Sequence, residues 1–280
     1  MDYKIIHNIN INDYIKELDK KSKITIHTIM ERIYYYYTHT LMDLKKFFDL
    51  EDLKEKRNVD QFIENFKKDF KLPIERYDPS VIYYQCGLKF IPARIKKGLM
   101  NKVFLDGGAF TGDSSLIFEK YYNPKKIFAF EPDFKNNKYI KKTIELNDLK
   151  KVIPVQSGLS DKPEILKFKS SGGTSHICNN GQFKVKVITI DDFVVENRID
   201  IGLIKLDIEG FDLKALKGAE KTLKKFKPVL LVSIYHNGEQ FFETINYIKN
   251  LNLNYKFIIR KLDPSHIYIE TLLIAWYEDK

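Results

Sequence analysis

The chain has 280 residues, 44% hydrophobic and 30% charged, which is enough apolar material for one large core. Thirteen Gly and nine Pro exclude a fibrous or low-complexity polymer, and two cysteines, Cys86 and Cys178, exclude a disulfide framework and match no zinc spacing. The net charge of +9 divides into an excess of +4 over residues 1–100 and +5 over residues 101–280, a dispersed balance that disfavours a nucleic-acid patch.

The first 75 or so residues read as helical. Met30, Ile33, Tyr37, Leu41, Leu44 and Phe48 recur at three- and four-residue steps, the apolar stripe of one long helix. Val59, Phe62, Ile63, Phe66 and Phe70 repeat the pattern on a shorter helix that should stop before Pro73. The aromatic run Tyr34 to Tyr37 is expected to pack rather than to stack on a substrate. Residues 1–75 are therefore expected to form a helical region that covers the main domain or pairs subunits as a homodimer, and residues 76–280 the main domain.

From Asn101 the pattern changes to short apolar runs alternating with amphipathic segments. Val103–Leu105, Ile127–Phe130, Val152–Val155, Val185–Ile190, Leu203–Leu206 and Val229–Ile234 read as strands, with Tyr255–Ile259 and Thr271–Trp276 after them. Helical stretches intervene at 114–121, 134–147, 213–224 and 240–250. Such alternation predicts an α/β fold, a doubly wound, mostly parallel sheet covered on both faces. The last two strands have no helix between them and should form an antiparallel hairpin at the C-terminal edge, joined through Asp263-Pro264-Ser265. No segment reaches the ~18 apolar residues of a membrane span. The N-terminus lacks the basic start and apolar run of a secretion signal, so a cytoplasmic location is expected.

The sharpest local signal is the turn after the first of these strands, Asp106-Gly107-Gly108-Ala109-Phe110-Thr111-Gly112-Asp113-Ser114. Glycines let the backbone turn tightly and approach a ligand, and in open α/β sheets ligands bind beyond the strand carboxyl ends. Glu131, followed by Pro132, ends the second strand 25 residues after Asp106, where a carboxylate can accept both ribose hydroxyls of an adenosine. An acid at Asp106 would repel a dinucleotide pyrophosphate but favour a methionine ammonium. The pair therefore fits S-adenosylmethionine better than NAD. No G-x-x-x-x-G-K-[ST] string occurs, which excludes a P-loop.

Ile204-Lys205-Leu206-Asp207-Ile208-Glu209-Gly210 closes a later strand, and Tyr235-His236-Asn237 ends the next one. Parallel strands put their carboxyl ends on one edge, so Asp106, Glu131, Asp207, Glu209 and His236 are expected to converge on one crevice. An acceptor alcohol must lose its proton, and His236 is the histidine placed at that edge, with an ordinary pKa of ~6.5 suited to a base. Alternatively Asp207, Glu209 and His236 offer two carboxylates and an imidazole to a divalent metal such as magnesium, manganese or iron. His176, in a Ser/Gly-rich loop, could lie over a substrate or simply on the surface.

The strings 104–113 (Phe-Leu-Asp-Gly-Gly-Ala-Phe-Thr-Gly-Asp), Ala129-Phe-Glu-Pro132, Ser157-Gly-Leu-Ser-Asp161 and Ile204–Gly210 together resemble the FkbM-type S-adenosylmethionine-dependent methyltransferases. Leu216-Lys-Gly-Ala219, Lys227-Pro228 and Tyr235-His236 match in order, so that the likeness covers roughly residues 78–280. Gly107 stands where Val or Ile is more usual, and Phe110-Thr111 replaces a commoner Asn-containing pair. The resemblance implies a class I, Rossmann-like methyltransferase fold and methyl transfer to a hydroxyl oxygen, commonly of a sugar. The expected acceptor is a carbohydrate, nucleotide-activated or part of a surface polysaccharide pathway. Carried onto this chain, Asp106, Gly107, Gly108, Ala109, Gly112, Asp113 and Ser114 would hold the methionine part, Glu131 with Pro132 the ribose, and Ser160 and Asp161 would lie near the adenine. Asp207 would stand near the sulfonium and the acceptor. The competing readings are an RNA- or protein-modifying methyltransferase and a non-catalytic cofactor-binding scaffold.

Overall fold

The strands expected from residue 103 onward, apart from the run at 185–190, assemble into one sheet. In the computed structural model, which describes residues 14–38, 50–178, 180–263 and 266–278, seven strands lie in the order β10-β11-β9-β8-β1-β2-β3. They are β1 (Val103–Gly107), β2 (Lys126–Phe130), β3 (Val152–Val155), β8 (Ile201–Leu206), β9 (Val229–Ser233), β10 (Tyr255–Lys261) and β11 (Thr271–Tyr277). β1 pairs in parallel with both β2 and β8, and β8 with β9. All residues of β1 and β9 are buried, which is why Val103–Leu105 and Val229–Val232 read as unbroken apolar runs rather than alternating ones.

Alternate residues of each strand feed one of two cores. Leu105, Ile204 and Leu230 face Phe193 of α7 (Ile190–Asn197) and Phe241 and Ile245 of α10 (Gly238–Asn250). Phe104, Leu203 and Leu231 face Leu116 and Ile117 of α5 (Asp113–Tyr122) and Ile140 of α6 (Phe134–Asn147). Burying a side chain of this size is worth about 1.5–3 kcal/mol, so the two layers account for much of the favourable energy.

The two N-terminal helices enter these same cores. α1 (Lys20–Thr38) brings Ile26 and Met30 to the first, and α2 (Leu50–Asp69) brings Val59, Ile63 and Phe66 to the second. Polar contacts fix the docking of α1. Arg260 Nη2 lies 2.7 Å from Asp19 Oδ2, and the Ile259 N–H donates to Ser22 Oγ at 2.7 Å. Tyr14 donates to the Phe241 carbonyl at 2.6 Å. Tyr34 is exposed rather than packed in a core. Leu41, Leu44 and Phe48 of the expected stripe lie outside the described residues.

The sequence reading departs from the structure in two places. The run at 185–190 contributes β7 (Phe183–Ile188) to a separate four-stranded sheet, β4-β7-β5-β6, with β4 (Gly158–Leu159), β5 (Glu164–Lys169) and β6 (His176–Ile177). The helix expected over 213–224 is broken into α8 (Asp212–Lys217) and α9 (Glu220–Phe226). At the break, Gly218 sits so close to the Ser160 carbonyl that a Cβ would lie 2.1 Å from it. The C-terminal hairpin does lie at the edge, but β11 slots in beside β9, antiparallel to it, and leaves β10 outermost. Pro264 and Ser265 of its connection lie outside the described residues.

Candidate active site

The carboxyl ends of β1, β2, β8 and β9 open onto one crevice, a cavity of about 280 Å³. Gly108, Asp113, Ser114, Glu131, Pro132, Asp207 and Glu209, all singled out from the sequence, line it, and so does His176. Asp106, Gly107, Ala109, Gly112, Ser160, Asp161 and His236 do not.

Asp106 shows why an acid at a strand end can be internal. It is fully buried, and its Oδ2 accepts from the hydroxyls of Ser114 and Ser115, each at 2.6 Å. Its Oδ1 lies 3.3 Å from Lys205 Nζ. Lys205, itself buried, donates to the carbonyls of Gly108 at 2.8 Å and Gly107 at 3.2 Å. Burial works against its charge, but Asp106 and Asp207 more than offset that and hold the ammonium pKa above its usual value. The lysine thus ties the glycine turn to the next strand. At Gly108 the fit is tighter still: φ is +73°, and a Cβ would stand 1.9 Å from the Asp207 carbonyl oxygen. Only glycine meets both demands. Gly112, at φ +83°, starts α5 with its Cα side against Ile140.

Glu131 is buried at the other end of the crevice. Its Oε2 accepts from the Phe110 N–H at 3.1 Å and its Oε1 from the Asp133 N–H at 2.9 Å. Burial outweighs these bonds and raises its pKa to about 7. Asn136, whose Oδ1 is buried without a partner, lines the same end. Asp133 caps α6, accepting from the Lys135 N–H at 2.8 Å, and its second oxygen accepts from Ser170 and Ser175. The Asn136 side chain donates to the Gly172 carbonyl at 3.2 Å. Those bonds draw residues 170–176 over the crevice and place His176 on its wall, with Nδ1 2.9 Å from the Thr174 carbonyl. Arg76 lies over the Phe110 ring on the same side, 5.5 Å from its centroid.

Ser160 and Asp161, expected near an adenine, fall elsewhere. Ser160 is buried under Gly218 and donates to Asp161 at 3.1 Å. The neighbouring Ser157, Gly158 and Leu159 line the crevice instead.

At the reaction end, Asp207 and Glu209 line the crevice and His236 lies one layer behind them. The imidazole Nε2 is 3.3 Å from Asp207 Oδ1 and 3.8 Å from Glu209 Oε2, and Nδ1 is 3.2 Å from Asp212 Oδ2. Neither nitrogen is aligned for a hydrogen bond, so the attraction is chiefly ionic. Burial opposes a charge on the ring, but Asp207 and Asp212 overcome it and raise the pKa to about 11. Asp207 is half-buried, and His236 and Lys205 hold its carboxyl well below the usual carboxylate range. Asp212 accepts from the Ile208 N–H at 3.0 Å and the Gly210 N–H at 3.2 Å, fixing the Glu209 turn, where φ is +54°.

This geometry bears on the metal reading. Among the described residues no group of three or more His, Cys, Asp or Glu is arranged to hold an ion. The set Asp207, Glu209 and His236 does not fit a divalent cation.

Two participants were missed in the sequence. Tyr235 places its hydroxyl 3.4 Å from Asp207 Oδ1 and 3.1 Å from Glu270 Oε1, and both Tyr235 and Glu270 line the crevice. Tyr235 stands in the quoted Tyr-His pair, so a local signal existed. Glu270 follows no motif and is reached through the hairpin.

Residues 106–257 match the family profile of the methyltransferase FkbM domain. The hexuronic acid methyltransferase AglP of Haloferax volcanii is 29% identical over 136 residues, which cover 46% of this chain and 54% of that protein. The chain thus spans about half the length of this curated relative. Methyltransferase FkbM from Methylobacillus flagellatus KT, in its crystal structure, superposes with a TM-score of 0.66 and 20% identity, covering 98% of this chain and 60% of that one. At that identity the likeness is one of fold.

Proposed function

The chain belongs to the methyltransferase FkbM domain family, and from that premise we propose that it transfers a methyl group from S-adenosylmethionine to a hydroxyl oxygen of a sugar. The observation that carries this reading is the convergence of Gly108, Glu131 and Asp207, from three different strand ends, on one crevice. Bound there, the cofactor supplies an electrophilic methyl on a cationic sulfur. Glu131 and Asn136 are suited to the ribose hydroxyls, and the bare backbone at Gly108 to the methionine part. Asp113 and Ser114, at the start of α5, lie on the same wall. The lining acids Asp78, Asp113, Glu131, Asp207, Glu209 and Glu270 favour a cationic ligand.

Methyl transfer requires the acceptor oxygen in line behind the methyl carbon. Holding two reactants so can supply about 7–11 kcal/mol of the barrier. In this reading Asp207 and Glu209 orient acceptor hydroxyls, and His236, held charged, fixes Asp207 rather than taking a proton. A sugar acceptor draws support from the hexuronic acid methyltransferase relative, and the panel of acceptors to try includes free hexoses, hexuronic acids and their nucleoside diphosphate forms. The helices Lys20–Thr38 and Leu50–Asp69 serve here as cover for the two faces of the sheet. Isothermal titration with S-adenosylmethionine tests the cofactor, and formation of S-adenosylhomocysteine with the acceptor panel tests the reaction. A flat titration of folded protein ends the reading.

A further inference from the structure

An alcohol that attacks a methyl group must give up its proton, and His236, set between Asp207 and Asp212, does not line the crevice. Another group has to receive it. We propose that Glu270, delivered by the turn before β11, takes the acceptor's hydroxyl proton, with Tyr235 as the positioning residue that bridges it to Asp207. This rests on the reading of the crevice as a methyl-transfer site.

Geometry supports it first. Glu270 lines the same crevice as Gly108 and Asp207, and Tyr235 spans the two acids with its hydroxyl 3.1 Å from one and 3.4 Å from the other. The Glu270 backbone has φ +59°, a left-handed conformation that non-glycine residues adopt at a cost and that clusters at functional positions. The Leu262 N–H donates to the Glu270 carbonyl at 2.8 Å and holds that conformation. The side chain remains partly open to solvent, so a proton taken from substrate can leave.

Three of the other acids of the crevice are otherwise engaged. Glu131 accepts from two backbone N–H groups at the far end, and Asp78 caps its own short helix, Pro79–Ile82, by accepting from Ser80. Asp207 is too acidic to hold a proton, being paired with His236 and Lys205. The groups facing Glu270 are Asp207, Asp78, Ser80 and Tyr235. Burial, then the negative charges of Asp207 and Asp78, raise its pKa to about 8, in the range where a carboxylate accepts a proton effectively near neutral pH. In the step itself the oxygen–carbon bond forms as the carbon–sulfur bond breaks. The electron pair of the broken bond stays on sulfur, and the hydroxyl proton passes to Glu270.

The test needs no acceptor. In sinefungin a carbon-bound ammonium replaces the sulfonium methyl, so a carboxylate beside the transfer point favours it over S-adenosylhomocysteine, which has no charge there. Isothermal titration of the full chain with both ligands gives the ratio of their affinities. Glu270→Gln should lower the preference for sinefungin about tenfold and leave S-adenosylhomocysteine within twofold. Tyr235→Phe, which frees the carboxylate, should lower it about threefold and stands in if the first variant does not fold. If the ratio matches wild type in the folded variant, Glu270 is not at the transfer point and the proposal falls, while the cofactor reading stands because both ligands still bind. If wild type binds neither ligand, the methyl-transfer reading falls and this assignment with it.

Discussion

His236 and Asp207 face each other across 3.3 Å at the reaction end of the crevice, and the second ring nitrogen of His236 lies 3.2 Å from Asp212. The imidazole is therefore the buried counter-charge of two acids. Its folded-state pKa of about 11 lies above the ordinary ~6.5, so its contribution to stability is fully present below pH ~6.5. That contribution is lost as pH rises from there toward about 11. Urea unfolding at pH 6, 8 and 10 should show wild type losing stability across the series more steeply than His236→Gln. At pH 6 the substitution itself should cost about 3 kcal/mol, because it leaves buried carboxylates unpaired. Parallel pH dependences for the two proteins would show that the ring is not charged.

Lys205 and Asp106 form the second buried pair, and it supports the glycine turn. Lys205→Met removes the donor to the Gly107 and Gly108 carbonyls and should destabilise by about 3–5 kcal/mol. Adding Asp106→Asn, which neutralises the orphaned carboxylate, should restore part of the loss. A double variant no more stable than Lys205→Met would mean that Asp106 carries little charge in the fold.

At Gly108 the turn leaves no room. Gly108→Ala puts a methyl against the Asp207 carbonyl at a backbone φ of +73°. A cost of at least about 3 kcal/mol follows from the combined overlap and strain, together with loss of S-adenosylhomocysteine binding. Thermal unfolding and titration of the same preparation check both. A melting temperature within two or three degrees of wild type (a difference near 1 kcal/mol) would mean that β1 and β8 separate easily at this point.

Glu131 should make cofactor binding sensitive to acid. Its raised pKa, about 7 from burial, means that it is largely protonated below neutrality and cannot accept two ribose hydroxyls. Affinity for S-adenosylhomocysteine should be constant above pH ~8 and fall up to tenfold for each unit below 7. Glu131→Gln should lower the affinity at pH 8 by about 10–100-fold and abolish this dependence. An unchanged pH profile in the variant would place the titrating group elsewhere.

The sequence by itself determined the layered fold. Runs such as Val103–Leu105 and Val229–Val232 are apolar at every position, and only a strand covered on both faces tolerates that. It also marked Gly108, Glu131 and Asp207, because strand-end position and short spacing are local properties. What it left open depends on contacts between distant segments. Asp106 stands in the motif like a ligand carboxylate, yet Ser114, Ser115 and Lys205 consume it. His236 has the ordinary pKa of a base until Asp207 and Asp212 close on it. Ser160 is covered by Gly218, and Glu270 reaches Tyr235 only because β11 inserts beside β9. A residue's type and neighbours in the chain fix what it can do, whereas its charge state and reach are set by partners that only the folded sheet brings within a few ångströms.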